Sequence, residues 1–299
     1  MCGALYYITM SICTPEYIKV RTVSEIREKI PGDKKTYFLA GGTDLMCYIR
    51  EGLIDSEKSC LVDISKIDGL NGIEEETDRI VIGAMTTFRE ISENESIKKW
   101  CPGLALAARS IGTPQIANRA TIGGNIGNAS PSGDSIPSLI THNAVLKIAG
   151  SSGEREVDIS GIFTGPKKTI LANGEIITSV LIPKLKVKDG SALRGTFIKI
   201  GGRKSHIISK ASVAVLAAVA GRIIIAARVA FGAVGPVVIN AESVSRILEN
   251  NAVTPELMEK CAVEIRRIIS PIDDFRSSAA YRREVLPLLF ARAMDEITG

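Results

Sequence analysis

At 299 residues the chain is long enough for two or three packed units, and its 45% hydrophobic and 23% charged residues exclude a disordered polymer. A net charge of +4, with no basic run, gives no nucleic-acid footprint, and 5% aromatics give no platform for stacking single strands. The six cysteines (Cys2, Cys13, Cys47, Cys60, Cys101 and Cys261) show no C-x-x-C spacing and no Cys/His cluster suited to zinc or iron–sulfur ligation. Buried or incidental thiols of a reduced cytoplasm are the expectation. The longest apolar stretch, 211–227, is broken by Arg222, so no membrane span is expected. The N-terminus lacks the basic-then-apolar plan of a secretion signal, which points to a soluble cytoplasmic protein.

In chain order, 24–29 reads as a short helix capped by Ser24 and ended by Pro31-Gly32-Asp33. Residues 36–40 read as a buried strand running into Gly41-Gly42, and 60–64 as another, giving a small α/β unit over 1–66. Residues 71–74 and 79–82 form a predicted hairpin around an acidic turn. A helix follows from 87, with Thr86 or Thr87 as its cap, and an alanine-rich one over 104–110. Residues 112–135, dense in Gly, Ser, Thr, Asn and Pro, are expected to be a long functional loop between packed elements. Helix 138–144, strand 144–149 and strand 176–182 complete a second unit, 67–184. The charged stretch 184–191 is the best linker. Strands at 195–200, 211–220 and 222–231, then helices at 241–249, 255–269 and 279–296, form an α+β unit over 191–299.

Two glycine-rich sites carry the chemistry. In Ala40-Gly41-Gly42-Thr43-Asp44-Leu45 a buried strand ends in two glycines, whose successive N–H groups suit a phosphate or pyrophosphate. The spacing is neither Walker A nor Gly-x-Gly-x-x-Gly, and a plain tight turn is the alternative. The second site runs from Thr121 to Asp134. Gly123 and Gly124 admit close backbone approach, and Asn125, Asn128, Ser130 and Asp134 supply polar groups. Ile111, Ile122, Ile126 and Ile136 supply apolar surface for a flat ring. His142 and His206 have no partner at motif spacing, so no catalytic role is assigned to either. Trp100 reads as packing, Asp273-Asp274 beside Arg276 as a solvated or capping cluster, and Arg203-Lys204 as a surface pair or a neighbour of the ring.

The pairing of 40–45 with 121–134 resembles the flavoprotein subunit of xanthine dehydrogenases, carbon monoxide dehydrogenases and related molybdenum hydroxylases. Further matches lie at 82–87, 174–183, 197–203 and 274–283, so the resemblance spans nearly the whole chain. It implies an α+β fold: two subdomains of the vanillyl-alcohol-oxidase type holding FAD, then an α+β C-terminal domain with an antiparallel sheet and helices. It implies cofactor contacts from Leu39, Ala40, Gly41, Gly42, Thr43, Asp44 and Leu45, with 40–45 binding the pyrophosphate through backbone amides. Thr121, Gly124 and Asn125 extend that contact, with Ile122, Gly123 and Asn128 beside them. Asp134 would hold the ribityl or nearby hydroxyls, Ile176 or Ile177 would pack beside the isoalloxazine, and Lys199 would lie near its pyrimidine end. Ile111 departs from the aromatic residue that xanthine dehydrogenases carry over the ring. The implied partners are an iron–sulfur subunit, a molybdenum-cofactor subunit and an electron acceptor (NAD, a quinone, a protein or oxygen). The implied role is electron transfer, with no metal and no acid–base residue in this chain. A self-contained flavin reductase or oxidase, or a non-catalytic flavin-loaded structural subunit, are the rival readings.

Overall fold

Side chains alternate along a strand, and the strand Ser59–Asp63 uses both of its faces. In the computed structural model Cys60 and Val62 pack with Ile26 of the helix Val23–Lys29 on one side. Leu61 packs with Ile49 of the helix Leu45–Arg50 on the other. Ser59–Asp63 is therefore the middle of a parallel three-stranded sheet, flanked by Glu16–Lys19 and Lys35–Leu39. Burial on both faces is why a parallel strand reads as a continuous apolar run. The structure describes residues 15–150, 153–187, 190–202 and 208–299. Cys2, Cys13, Arg203, Lys204 and His206 lie outside the described residues.

A second sheet has five antiparallel strands, in the order Ile73–Glu75, Arg79–Gly83, Ile176–Pro183, Val145–Gly150 and Gly153–Asp158. Its core joins Ile80, Ile82, Leu146, Ile148 and Val180 to Phe88, Leu104, Ile122, Ile126 and Leu139 from helices. The third sheet runs Ala192–Ile200, Ala211–Ala220, Ile223–Gly232 and Ile239–Asn240, with Asn251–Ala252 pairing Ile223–Gly232. Val213, Val215, Ala217 and Val219 face the helices Glu242–Leu248, Pro255–Ile268 and Ala279–Thr298. On the opposite face Ala214 meets Phe197 and Ala107 of the helix Pro102–Ser110. Small residues at 211–220 thus let one sheet bury both faces, and this sets the third unit against the second.

Several local expectations need correction. The first helix is capped by Thr22, whose hydroxyl accepts from Glu25 N at 3.2 Å, not by Ser24. The expected long loop is mostly short helices: Pro114–Ala117, Ile122–Asn128 and, from its far end, Ser135–Thr141. Propensity argues against helix in a Gly-Gly-Asn run, but Ile122 and Ile126, one turn apart, are both fully buried and tertiary packing wins. Lys184, placed in the expected linker, is half-buried with its side chain largely covered, its ammonium on Glu75 at 2.7 Å and over the Trp100 ring. Asp273 accepts from Ala279 N at 2.6 Å as a cap, whereas Asp274 is largely buried between Arg276 and Arg282, each at 2.6 Å. Among the described residues no helix is long and apolar enough to cross a membrane.

The helix Phe88–Glu93 begins with a capping box in which Thr87 and Glu90 satisfy each other's backbone N–H groups. Thr87 also bridges to Thr121, so this cap anchors the second glycine-rich segment. Thr87→Ala is expected to cost about 1 kcal/mol, read as a lower urea midpoint at unchanged slope.

Candidate functional site

Between the first two units lies a cavity of about 830 Å³. One wall is the turn that follows the parallel strand Lys35–Leu39, and in open parallel sheets ligands gather beyond the carboxyl ends of strands. Gly42 adopts φ +75°, a left-handed conformation that a side chain resists. Gly41 is required for a different reason. A Cβ there would lie 1.9 Å from the carbonyl oxygen of Arg119, so the two glycine-rich segments touch backbone to backbone. Ala40, Gly41, Gly42, Thr43, Asp44 and Leu45 all line the cavity.

The second segment is stitched into place from the opposite side. Phe88 N donates to Ala120 O, Ile122 N to Thr86 O and Gly123 N to Ala84 O, at 2.8–3.1 Å. Gly123 packs so tightly that a Cβ would meet Ala84 at 2.6 Å. Thr121 caps the helix Ile122–Asn128 by accepting from Gly124 N at 3.2 Å. Thr121, Gly123, Gly124, Asn125 and Asn128 line the cavity, as do Ile111, Ile176 and Ile177.

Four of the residues expected as contacts do not line this cavity. Leu39 packs behind the loop with Ile49, Ile54 and Leu61. Ile122, like Ile126 and Ile136, is buried in the core and presents no ring-binding surface to the cavity. Asp134 is buried away from the cavity wall, bound to Lys199 Nζ at 2.5 Å and Ser209 Oγ at 2.5 Å. Burial pushes its carboxyl above the usual range, opposed by the Lys199 ammonium and the Ser209 hydroxyl. Lys199 also donates to Ser110 O at 2.9 Å, one residue from Ile111, which does line the cavity. This pair joins the third unit to the second directly behind the apolar wall.

Other cavity residues escaped the sequence reading. Asn173 hydrogen-bonds Thr36 N at 2.8 Å and Lys34 O at 2.9 Å, closing the open edge of Lys35–Leu39 much as another strand would. Its signal was the Asn173-Gly174 dipeptide, with Gly174 at φ +86°. Tyr48 and Lys167 line the cavity too, Tyr48 one turn into a helix and Lys167 in a two-strand turn. Neither belongs to a glycine-rich motif. Glu175 also lines the cavity, where the Arg155 guanidinium holds its carboxyl below the usual range. His142 is buried beside Arg228, and burial pushes its pKa down to about 4, leaving a neutral imidazole remote from the cavity lining. Among the described residues no group of three His, Cys, Asp or Glu side chains could hold a metal.

A family model described as the FAD-binding domain in molybdopterin dehydrogenase matches residues 10–185. The chain belongs to the family of FAD-binding medium subunits of molybdenum hydroxylases. A second model, the CO dehydrogenase flavoprotein C-terminal domain, matches residues 196–297. The medium chain of glyceraldehyde dehydrogenase from Sulfolobus acidocaldarius is 30% identical over 94% of this chain and 97% of its own. The xanthine dehydrogenase FAD-binding subunit of Escherichia coli O157:H7 is 28% identical over 94% of each. The solved structure of carbon monoxide dehydrogenase from Hydrogenophaga pseudoflava superposes with a TM-score of 0.86 at 28% identity, over 95% of this chain and 97% of that one.

The cofactor of this medium subunit is FAD, and the chain is a subunit of an oxidoreductase. The residues present fit that group. The cavity volume lies in the range of small-molecule sites, about 300–1,000 Å³. Two glycine segments expose backbone along one side, with isoleucines at 111, 176 and 177 supplying apolar surface. Thr36 Oγ1, on a cavity-lining residue, is buried without a hydrogen-bond partner among the described residues.

Proposed function

We propose that this subunit is the electron relay of a multisubunit molybdenum hydroxylase, accepting electrons from iron–sulfur clusters on one partner while another carries molybdenum. The observation that carries this reading is the end-to-end match to proteins that are themselves named medium chains or FAD-binding subunits of dehydrogenases. When bound, FAD supplies exchange between one-electron and two-electron carriers. The chain's residues supply position and electrostatics. Backbone amides of 40–45 would hold the diphosphate, and Thr121, Gly124, Asn125 and Asn128 would extend the polar wall. Ile111, Ile176 and Ile177 would supply the apolar surface for the ring and keep water from it. Asp134 and Lys199 would brace the apolar wall from behind Ile111 through the Lys199–Ser110 bond, while Leu39, Ile122 and Gly123 would hold the two loops in register by packing. The acceptor is NAD, a quinone, a protein or oxygen.

The test is cofactor extraction followed by co-expression. The purified chain is expected to release FAD rather than FMN. Only the chain assembled with a two-cluster iron–sulfur subunit and a molybdenum subunit is expected to couple organic oxidation to an acceptor. Turnover of a small organic substrate by the isolated chain at ~1 s⁻¹ or faster would replace the relay with a self-contained flavoenzyme.

A further inference from the structure

Lys167 stands at a backbone position that its residue type disfavours. The turn joining Phe163–Gly165 to Lys168–Thr169 reads Gly165-Pro166-Lys167-Lys168, with Gly165 and Lys168 paired. Proline at the second place and a positive φ at the third is the pattern of a type II turn, where glycine is the usual third residue. Lys167 adopts φ +59° there, held by its own N–H on Ala129 O at 2.9 Å. A bulky residue kept in the left-handed region is a reason to look for a role of its side chain.

The side chain reaches across to the rim of the FAD cavity. Its ammonium donates to Tyr48 Oη at 2.8 Å and to Asn128 Oδ1 at 2.9 Å, and Tyr48 Oη donates to Asn128 Oδ1 at 3.2 Å. Tyr48 belongs to the helix Leu45–Arg50 of the first unit, and Asn128 ends the helix Ile122–Asn128 of the second. The three side chains thus span the cavity between its two walls, and all three line it. Both acceptors are neutral, and among the described residues no carboxylate forms an ion pair with Lys167. An ammonium has three donors, of which two are used here. Elsewhere along the lining, Lys34 is paired with Glu16 at 2.9 Å and Lys35 lies over the Tyr37 ring. The loop at 40–45 adds the exposed carboxylate of Asp44, so the nearby charge is unfavourable to an anion without a cation.

We propose that Lys167, seated on Tyr48 and Asn128, is a clasp that supplies the positive charge for the cofactor's diphosphate and ties the two flavin-binding units together around it. The inference rests on the assignment of the 40–45 loop to the diphosphate. It adds a residue outside both glycine motifs, from a turn where sequence alone shows only a surface lysine.

The experiment uses the full chain stripped of flavin, titrated with FAD, ADP and adenosine, for wild type and for Lys167→Met, Lys167→Gly and Lys167→Arg. Losing a charge-assisted contact is expected to raise the Kd of Met and Gly variants for FAD and ADP by roughly ten-fold or more. Adenosine affinity is expected to stay put, and Arg to restore most of the loss. Added salt is expected to weaken FAD binding by wild type more than by Lys167→Met. Because glycine accepts the turn's positive φ, the flavin-free Gly variant is expected to melt no lower than wild type. Unchanged FAD affinity in both the Met and Gly variants overturns the clasp. So does an equal loss for adenosine, or a fall in flavin-free melting temperature that accounts for the weaker binding. A wild-type chain that binds neither FAD nor ADP instead brings down the cofactor assignment, and the clasp with it.

Discussion

Gly41→Ala is expected to leave the chain without flavin, although a single methyl is added. The Cβ would sit 1.9 Å from Arg119 O and 2.7 Å from its carbonyl carbon, and both are backbone atoms. No side-chain rotation relieves that contact, so the 40–45 loop or the 119–121 segment has to move. Overpacking of this kind costs about 1–3 kcal/mol and sometimes more. The movement separates the two walls whose spacing defines the cavity. Gly124→Val makes the instructive contrast. A Cβ at Gly124 meets Thr121 Oγ1 at 2.9 Å and otherwise only Ala40 Cβ at 3.8 Å, on a residue that lines the cavity. Its effect is expected on occupancy far more than on stability. Flavin-to-protein absorbance ratios and melting curves of the flavin-free proteins measure the two effects separately. Full flavin occupancy in Gly41→Ala would show that the close approach of the two segments is not needed for binding.

The contrast also shows what the sequence could reveal. A strand ending in Gly-Gly was legible because an apolar run meeting two glycines has few other uses, although the strand proves to be a half-buried edge beside the cavity and not a buried one. That Gly41 serves packing while Gly42 serves a left-handed turn was not legible, since the partner atom of Gly41 lies on Arg119, far along the chain. The strands at 195–200, 211–220 and 222–231 were readable from apolar runs broken at Gly221 and Arg222. The strand Gly153–Asp158 was not, because at the edge of its sheet it carries Glu154-Arg155-Glu156 in a row and every second residue faces water, which leaves no apolar alternation to read. The helix Ile122–Asn128 was hidden by its composition, since its stability comes from Ile122 and Ile126 meeting a core built elsewhere. Tyr48 and Lys167 were invisible as site residues for the same reason, each being defined by what a distant segment brings to it, and Asn173 showed only as a turn dipeptide. Asp134 was named from its motif and Lys199 from a resemblance, yet their bond to each other needed the third dimension.

Lys199→Met is expected to destabilise the chain by about 3–5 kcal/mol, because it strands a buried carboxylate. Asp134 is buried, and its two recorded neighbours, the Lys199 ammonium and the Ser209 hydroxyl, both come from the third unit. Without the ammonium the carboxyl rises further above its usual range, since burial already raises it and Lys199 is the main opposing influence. The sign of the pH dependence follows. A carboxyl whose folded pKa exceeds its unfolded value binds more protons in the folded state, so stability falls as pH climbs from the unfolded value through the folded one. The deficit of Lys199→Met relative to wild type is therefore expected to be largest near neutral pH and to shrink on acidification. Asp134→Asn combined with Lys199→Met removes both charges while the amide keeps an acceptor for Ser209, and the double variant is expected to recover much of the loss. Melting curves of the flavin-free proteins across that range measure this directly. A single variant as stable as wild type near neutral pH would mean that water reaches Asp134 and that the pair does not fasten the C-terminal unit to the flavin-binding one.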